Sequence, residues 1–356
     1  MTRFLKGLAT SVARSYDLAL LDLDGVVYRG GDAVPHAAEA IRAAEAAGMT
    51  IEYTTNNSSR FQHVVADQLR GFGLDVADWQ VITSSVVAAR MVARHVPQGA
   101  KVLTIGSSHL AEEVRRNGLE PVTSVDDDPR AVIQGWYPEM PWAALAQAAY
   151  AVERGAAYFV TNRDLTIPRA KGIAPGCGSL VNAVIEATGI QPVGSAGKPE
   201  SAMYDEARML HAGGAAPVPQ ERAIAIGDRL DTDIEAGNRG GYDSMVVLTG
   251  VADPLQLMLA PAHLRPTFIA RNLIGLNRSH PAPRRQRSTE QPVWRCGRQQ
   301  ATIHADGRVT VSDETSLDAL RAACCLAWDL ADAGHAPEAG DLPSFRIDPG
   351  SGEENL

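Results

Sequence analysis

Leu18-Ala-Leu-Leu-Asp22-Leu-Asp24-Gly25-Val-Val-Tyr28 is the stretch from which the fold of this chain is read. A short apolar run reads as a buried strand, and two carboxylates stand at its C-terminal end. Open α/β sheets bind ligands outside the carboxyl ends of their strands, so a strand closing on Asp-x-Asp-Gly delivers two acids to the place where such a fold does chemistry. Asp and Gly also make ordinary turns, and the residues that follow favour the site. Residues 35–48 read as a helix, with Pro35 near its start and Gly48 at its end. Met49 to Thr54 reads as a second strand and runs into Thr54-Thr55-Asn56-Asn57-Ser58-Ser59-Arg60. Strand, helix, strand is one βαβ unit, which implies a parallel sheet with a right-handed crossover. The hydroxyl-rich run is therefore expected at the same sheet edge as Asp22 and Asp24.

From about Val81 the pattern restarts. Helices are expected over 84–95, 109–117 and 141–154, and strands over 101–106, 131–135 and 157–161, the last running into Asn162-Arg163-Asp164. This is an α/β domain in its own right, inserted into the first. The first domain resumes near Val193-Gly-Ser-Ala-Gly197-Lys198-Pro199. A helix is expected over 199–212, an apolar strand over 222–227 ending at Asp228, a helix opening at 232–237, a strand over 243–248, and a last strand and short helix within 266–276. Residues 277–292 are polar, basic and Pro-containing and read as a linker. Beyond them a hairpin is expected around Asp306-Gly307 and an amphipathic helix over 316–333. The layout is a core in 1–80 and 193–276, a cap in 81–192, the linker, and a small α+β extension in 293–356 without a chemical motif.

A chain of 356 residues that is 45% hydrophobic can bury a large core and should form at least two domains. A net charge of -9 argues against a general nucleic-acid binder, which needs a basic face. The first residues lack a long apolar core, and no apolar run is long enough to span a bilayer, so a cytoplasmic protein with no membrane insertion is expected. Cys177, Cys296, Cys324 and Cys325 show no Cys-x2-Cys spacing and indicate neither a zinc site nor a disulfide framework. Cys324-Cys325 falls in an expected helix, and buried thiols are expected there.

Four signals fall in order at the expected strand ends: Asp22-Leu-Asp24-Gly25, Thr55-Asn56, Gly197-Lys198-Pro199 and Gly227-Asp228-x4-Asp233. Together they resemble the haloacid dehalogenase superfamily of phosphatases. The spacing looks most like subclass IIA, which carries an α/β cap of the C2 type between the second and third motifs and includes nitrophenyl, phosphoglycolate and pyridoxal phosphatases. The resemblance covers roughly residues 16–276 and implies a Rossmann-like parallel core with an inserted α/β cap.

The resemblance also implies roles. The Asp22 carboxylate would attack phosphorus and form an aspartyl phosphate. Asp24 would protonate the leaving alkoxide and then take a proton from the hydrolytic water. Thr55, Asn56 and Asn57, with the backbone amides there, would hold phosphoryl oxygens, and Lys198 would neutralise the transferring group as a point charge. Asp22, Asp228 and the backbone carbonyl of Asp24 would ligate Mg²⁺, with Asp233 holding its waters or Lys198. Without a cation the clustered carboxylates would repel and one would take up a proton, so the cluster itself implies a metal. An acid at Asp24 favours a phosphatase over a dehalogenase, whose ester hydrolysis has no alkoxide to protonate.

Plainer readings stand beside these. Asp22 and Asp24 could make a solvated turn, Thr55-Asn56 a helix N-cap, and Asp233 an acid of a first helical turn. Asn162-Arg163-Asp164 resembles the family's substrate-facing cap loop, which makes Arg163 and Asp164 the candidates for specificity. Pro175-Gly-Cys177-Gly178-Ser179 reads as a turn opening a helix over 179–188. It lacks the third Gly and the acidic partner of a dinucleotide site. His36, His63 and His109 read as surface or helix residues.

The expected activity is Mg²⁺-dependent hydrolysis of a small phosphomonoester. The core with this kind of extension resembles bacterial glycerol-3-phosphate phosphatases, which makes glycerol 3-phosphate the leading substrate. 2-Phosphoglycolate, a nucleotide monophosphate and pyridoxal phosphate stay open. The rival classes are a non-catalytic phosphate-ligand sensor and a phosphotransferase. The extension is open between a regulatory role and a dimerisation role, so a homodimer stands beside the small phosphorylated metabolite among the expected partners.

Overall fold

The computed structural model describes residues 4–169, 171–286 and 291–352. The chain divides into two compact units, one of Met1–Tyr53, Phe72–Leu74 and Arg208–Leu356, the other of Thr54–Gly71 and Asp75–Ala207. These boundaries depart from the core and cap limits read from the sequence, most visibly at 54–71 and 194–207. No helix among the described residues is long and apolar enough to cross a membrane.

The first unit is built on Leu18–Asp22, buried throughout except at Asp22. A nearly continuous apolar run is what a parallel strand covered on both faces requires. It pairs in parallel with Ala223–Gly227, which pairs with Asp243–Val247, which pairs with Phe268–Ala270. On its other side lies Thr50–Thr55, reached through the helix Ala37–Ala46, which buries Ala37, Ala40, Ile41 and Ala44. The chain thus leaves the opening strand to one side and later returns on the other. Such a switch opens a crevice at the carboxyl ends of the strands, where Asp22 and Asp228 stand.

The C-terminal residues belong to this unit. Val293–Cys296 pairs antiparallel with Gln299–Ile303, and that strand with Val309–Val311, across the expected Asp306-Gly307 turn. The helix Leu317–Asp332, capped by Ser316, buries Cys324, Cys325 and Trp328 in one cluster with Val246, Leu257 and Ile269. The segment read as a linker contributes a strand, Arg284–Arg285, paired with Val293–Cys296, while 287–290 lie outside the described residues. Polarity and proline suggested a tether there. An edge strand uses backbone groups alone and tolerates exposed arginines.

The second unit has its own parallel sheet, in the order Gly194–Ser195, Ala157–Val160, Ala131–Gln134, Lys101–Ile105, Glu120–Val122. Gly194, expected to resume the first domain, instead sits opposite Phe159 in this sheet. Trp142–Glu153 and Cys177–Thr188 cover it through Val152, Val181 and Val184. Thr166–Arg169 and Gly172–Pro175 form an antiparallel hairpin that was not expected. His109 lies on a helix, as expected, but is fully buried, 2.9 Å from the Thr83 hydroxyl. Burial pushes its pKa down to about 4.

Candidate active site

Three acids converge in the first unit. Asp22 closes its strand, Asp228 follows Ala223–Gly227, and Asp233 lies in the turn Leu230–Ile234 that leads into the helix Glu235–Gly240. Each offers a carboxylate oxygen within 4.8 Å of the others. Asp228 and Asp233 are buried and Asp22 is half-buried.

Glycines make room for this cluster. Gly25 holds a left-handed φ of 81°, and a Cβ there would stand 2.5 Å from Asp228 Oδ2. A Cβ on Gly250 would overlap the Asp228 carboxylate, and one on Gly227 would overlap that of Asp233. The acids are also held by backbone donors. The Val251 N–H donates to Asp228 Oδ2 at 2.7 Å, and the Arg229 N–H to Asp233 Oδ2 at 3.1 Å. Thr249 Oγ1 donates to the Gly25 carbonyl at 2.6 Å, and the Arg29 guanidinium to the Thr249 carbonyl. The loops after Leu18–Asp22 and Asp243–Val247 are therefore tied around Asp228. Asp24, two residues beyond Asp22, is exposed.

Carboxylates this close repel unless a cation or proton lies among them. An all-oxygen, multiply anionic donor set suits a hard cation, and Mg²⁺ in particular, which takes few carboxylates and keeps several waters. The residues present fit that ion.

The second unit holds the other motifs. Thr55 ends its strand, is buried, and its Oγ1 accepts from the Asn57 N–H at 3.1 Å. Lys198 is buried, and its bond to Pro199 is cis. Asn56 Oδ1 accepts from the Lys198 N–H at 2.8 Å, and Asn56 Nδ2 donates to the Lys198 carbonyl at 3.0 Å and to both Asp164 carboxylate oxygens at 3.1 Å. The Asn56 carbonyl accepts from Ser84 Oγ at 2.7 Å and Asn162 Nδ2 at 2.9 Å. Asn57 is exposed and its Oδ1 accepts from the Ser59 N–H; Arg163 is exposed beside Asp164. Ser84 and Gly250 are structural parts of these clusters that sequence reading missed, while Asn162 was named there only as part of the cap-loop run. Asn162 alone carried a signal, as a polar residue closing an apolar strand.

A family model of haloacid dehalogenase-like hydrolases matches residues 19–120, and a HAD-hydrolase-like model matches 195–276. The chain is also 36% identical over 340 residues to D-glycerol 3-phosphate phosphatase of Mycobacterium tuberculosis (strain ATCC 25618 / H37Rv), covering 93% of this chain and 92% of the relative. The chain is a haloacid dehalogenase-like hydrolase. The structure of glycerol phosphate phosphatase from Mycobacterium tuberculosis in complex with magnesium superposes with a TM-score of 0.76 at 33% identity, over 90% of this chain and 92% of that one. The p-nitrophenyl phosphatase from Archaeoglobus fulgidus matches with a TM-score of 0.68 at 29% identity, over 74% of this chain and 98% of that one. Within the haloacid dehalogenase-like hydrolases, this chain therefore shares nearly its full length with the first relative and only part of it with the second.

Proposed function

We propose that this Mg²⁺-dependent phosphoric monoester hydrolase converts glycerol 3-phosphate to glycerol and phosphate, with Asp22 as nucleophile. The observation that carries the reading is the convergence of Asp22 with Asp228 and Asp233, which pairs a nucleophile with a cation site. The substrate rests on the end-to-end likeness to D-glycerol 3-phosphate phosphatase.

An Asp22 carboxylate oxygen bonds to phosphorus as the ester P–O bond breaks, and Asp24 gives its proton to the departing alkoxide. Glycerol leaves. Asp24, now a carboxylate, takes a proton from water as that water attacks the aspartyl phosphate. The P–O bond to Asp22 breaks, which frees phosphate and restores both acids. Exposure of Asp24 suits a group that must meet both the leaving oxygen and water. Thr55 and Lys198 hold the phosphoryl oxygens, Lys198 as the cation that balances their charge. Asp22, Asp228 and the Asp24 carbonyl would hold Mg²⁺, with Asp233 toward its waters, and the bound ion neutralises charge on the transferring group.

Phosphate release from a panel of phosphomonoesters, with Mg²⁺, with EDTA and in Asp22→Asn, tests this. Release should be fastest from glycerol 3-phosphate, need the metal, and fall more than about a thousandfold in Asp22→Asn, the scale expected when a nucleophile is lost. Faster release from 2-phosphoglycolate, pyridoxal phosphate or a nucleotide monophosphate would reassign the substrate. Transfer only to an added alcohol would make the protein a phosphotransferase. Binding without any release would make it a sensor.

A further inference from the structure

We infer that Asn56 is a positioning residue that joins Lys198 to the cap-loop acid Asp164, so that Asp164 serves the phosphate-holding half of the reaction and not the choice of leaving group. The inference rests on the role given to Lys198 above.

A primary amide has one carbonyl oxygen and two N–H donors. In Asn56 the oxygen accepts from the Lys198 N–H at 2.8 Å and the nitrogen donates to the Lys198 carbonyl at 3.0 Å, so one side chain grips the backbone on both sides of the Cα that carries the ammonium. The nitrogen also donates to the two Asp164 oxygens, each at 3.1 Å. Both donors are thereby engaged with protein. The partners also fix the amide's orientation. Reversed, it would set oxygen against the Asp164 carboxylate and nitrogen against the Lys198 N–H.

The surroundings hold this arrangement in place. A Cβ on Gly197 would come 2.7 Å from Asn56 Oδ1, 2.7 Å from the Asn162 Cβ and 2.9 Å from the Thr161 carbonyl. Only glycine lets the chain before Lys198 lie this close. The Asn56 carbonyl is pinned by Ser84 and Asn162, and Asn162 Oδ1 accepts from the Asp164 N–H at 3.2 Å, which closes the ring back to the acid. Asp164, half-buried, meets an amide that already holds Lys198. That bond ties Asp164 to the side chain that grips the Lys198 backbone.

The test uses the full-length Mg²⁺-loaded enzyme with glycerol 3-phosphate, p-nitrophenyl phosphate and adenosine monophosphate. The variants are Asn56→Ala, Asp164→Ala, the double variant and Asp164→Asn. Small displacements of a catalytic group cost on the order of a hundredfold in rate, so each alanine variant should lower kcat about ten- to a hundredfold. The factor should be the same for all three esters. The double variant should lose no more than the worse single one, because the two side chains act through one bond. Asp164→Asn keeps an acceptor for the Asn56 amide and should recover most of the loss. Substrate-selective losses in Asp164→Ala, or losses that add in the double variant, would overturn the inference while leaving the phosphatase reading intact. A wild-type enzyme that releases phosphate from none of the esters would remove that reading, and this inference with it.

Discussion

Glu52 is a carboxyl group whose charge the fold disfavours. It lies within the strand Thr50–Thr55, fully buried, with Oε1 3.0 Å from His211 Nδ1. Burial pushes its carboxyl up to about 8 and pushes His211 below its ordinary value, so both shifts favour a neutral pair with the proton on Glu52. The folded chain then keeps a proton that the unfolded chain releases near 4.5. Stability from Glu52 is full below that value and is lost as pH rises toward 8. His211 has the opposite sign but acts only below about 6.5. Between pH 6.5 and 8 the Glu52 effect should stand alone and cost the wild type about 1–2 kcal/mol that Glu52→Gln does not lose. Urea midpoints of both proteins across that range check this, and parallel curves would mean that Glu52 carries no proton. The sequence signalled other residues unevenly. The grouping of Asp22 with Asp228 was legible because an acid ending an apolar run is a local pattern. The duty of Asn56 was not, because its partners lie 108 and 142 residues away and only the folded chain selects them.

Among the elements, the helix Leu317–Asp332 bonds directly to the parallel sheet. Arg321 donates from Nη2 to the Ile269 carbonyl at 2.6 Å and from Nη1 to Asp318 Oδ1 at 2.8 Å. Its Nη2 also lies 3.2 Å from His280 Nδ1, whose pKa burial holds down to about 4, so the ring is neutral and accepts. Trp328 Nε1 donates to the Leu257 carbonyl at 2.9 Å, and Arg265 lies over the Trp328 ring while pairing with Asp332. Removing one partner of a buried charged network typically costs about 3–5 kcal/mol. Arg321→Ala should lower unfolding stability on that scale, and a loss under 1 kcal/mol would mean that water or neighbours replace its bonds. This helix was legible from its amphipathic period, over 316–333. The helix Gln62–Gly71 was not, since it is polar and buries only Val65, Ala66 and Leu69. Val293–Cys296 and the hairpin of the second unit also escaped notice. Strands this short have no pattern of their own and take their stability from pairing.

For the molecule as a whole, the question is what the last sixty-odd residues contribute. None of the acids or amides of the candidate site lies among them. Yet Trp294, Leu317, Leu320, Leu326 and Trp328 share one apolar cluster with Val246, Leu248, Leu257, Met258 and Ile269 of the sheet and its loops. Phe4 stacks on Trp294 with ring centroids 4.9 Å apart, so an N-terminal residue packs on the same core. A chain ended at residue 292 would keep every candidate catalytic residue and uncover that apolar face. Contiguous apolar patches above a few hundred Å² drive association. The shortened protein should therefore bind a hydrophobic dye, aggregate on expression, and lose phosphate release through lost folding alone. The p-nitrophenyl phosphatase from Archaeoglobus fulgidus matches only 74% of this chain, so a related fold manages with less. The discriminating observation is a soluble, monodisperse 1–292 chain with wild-type kcat. That result would make the segment an appendage, whereas aggregation reversed by adding residues 293–356 as a separate peptide would establish it as part of the core.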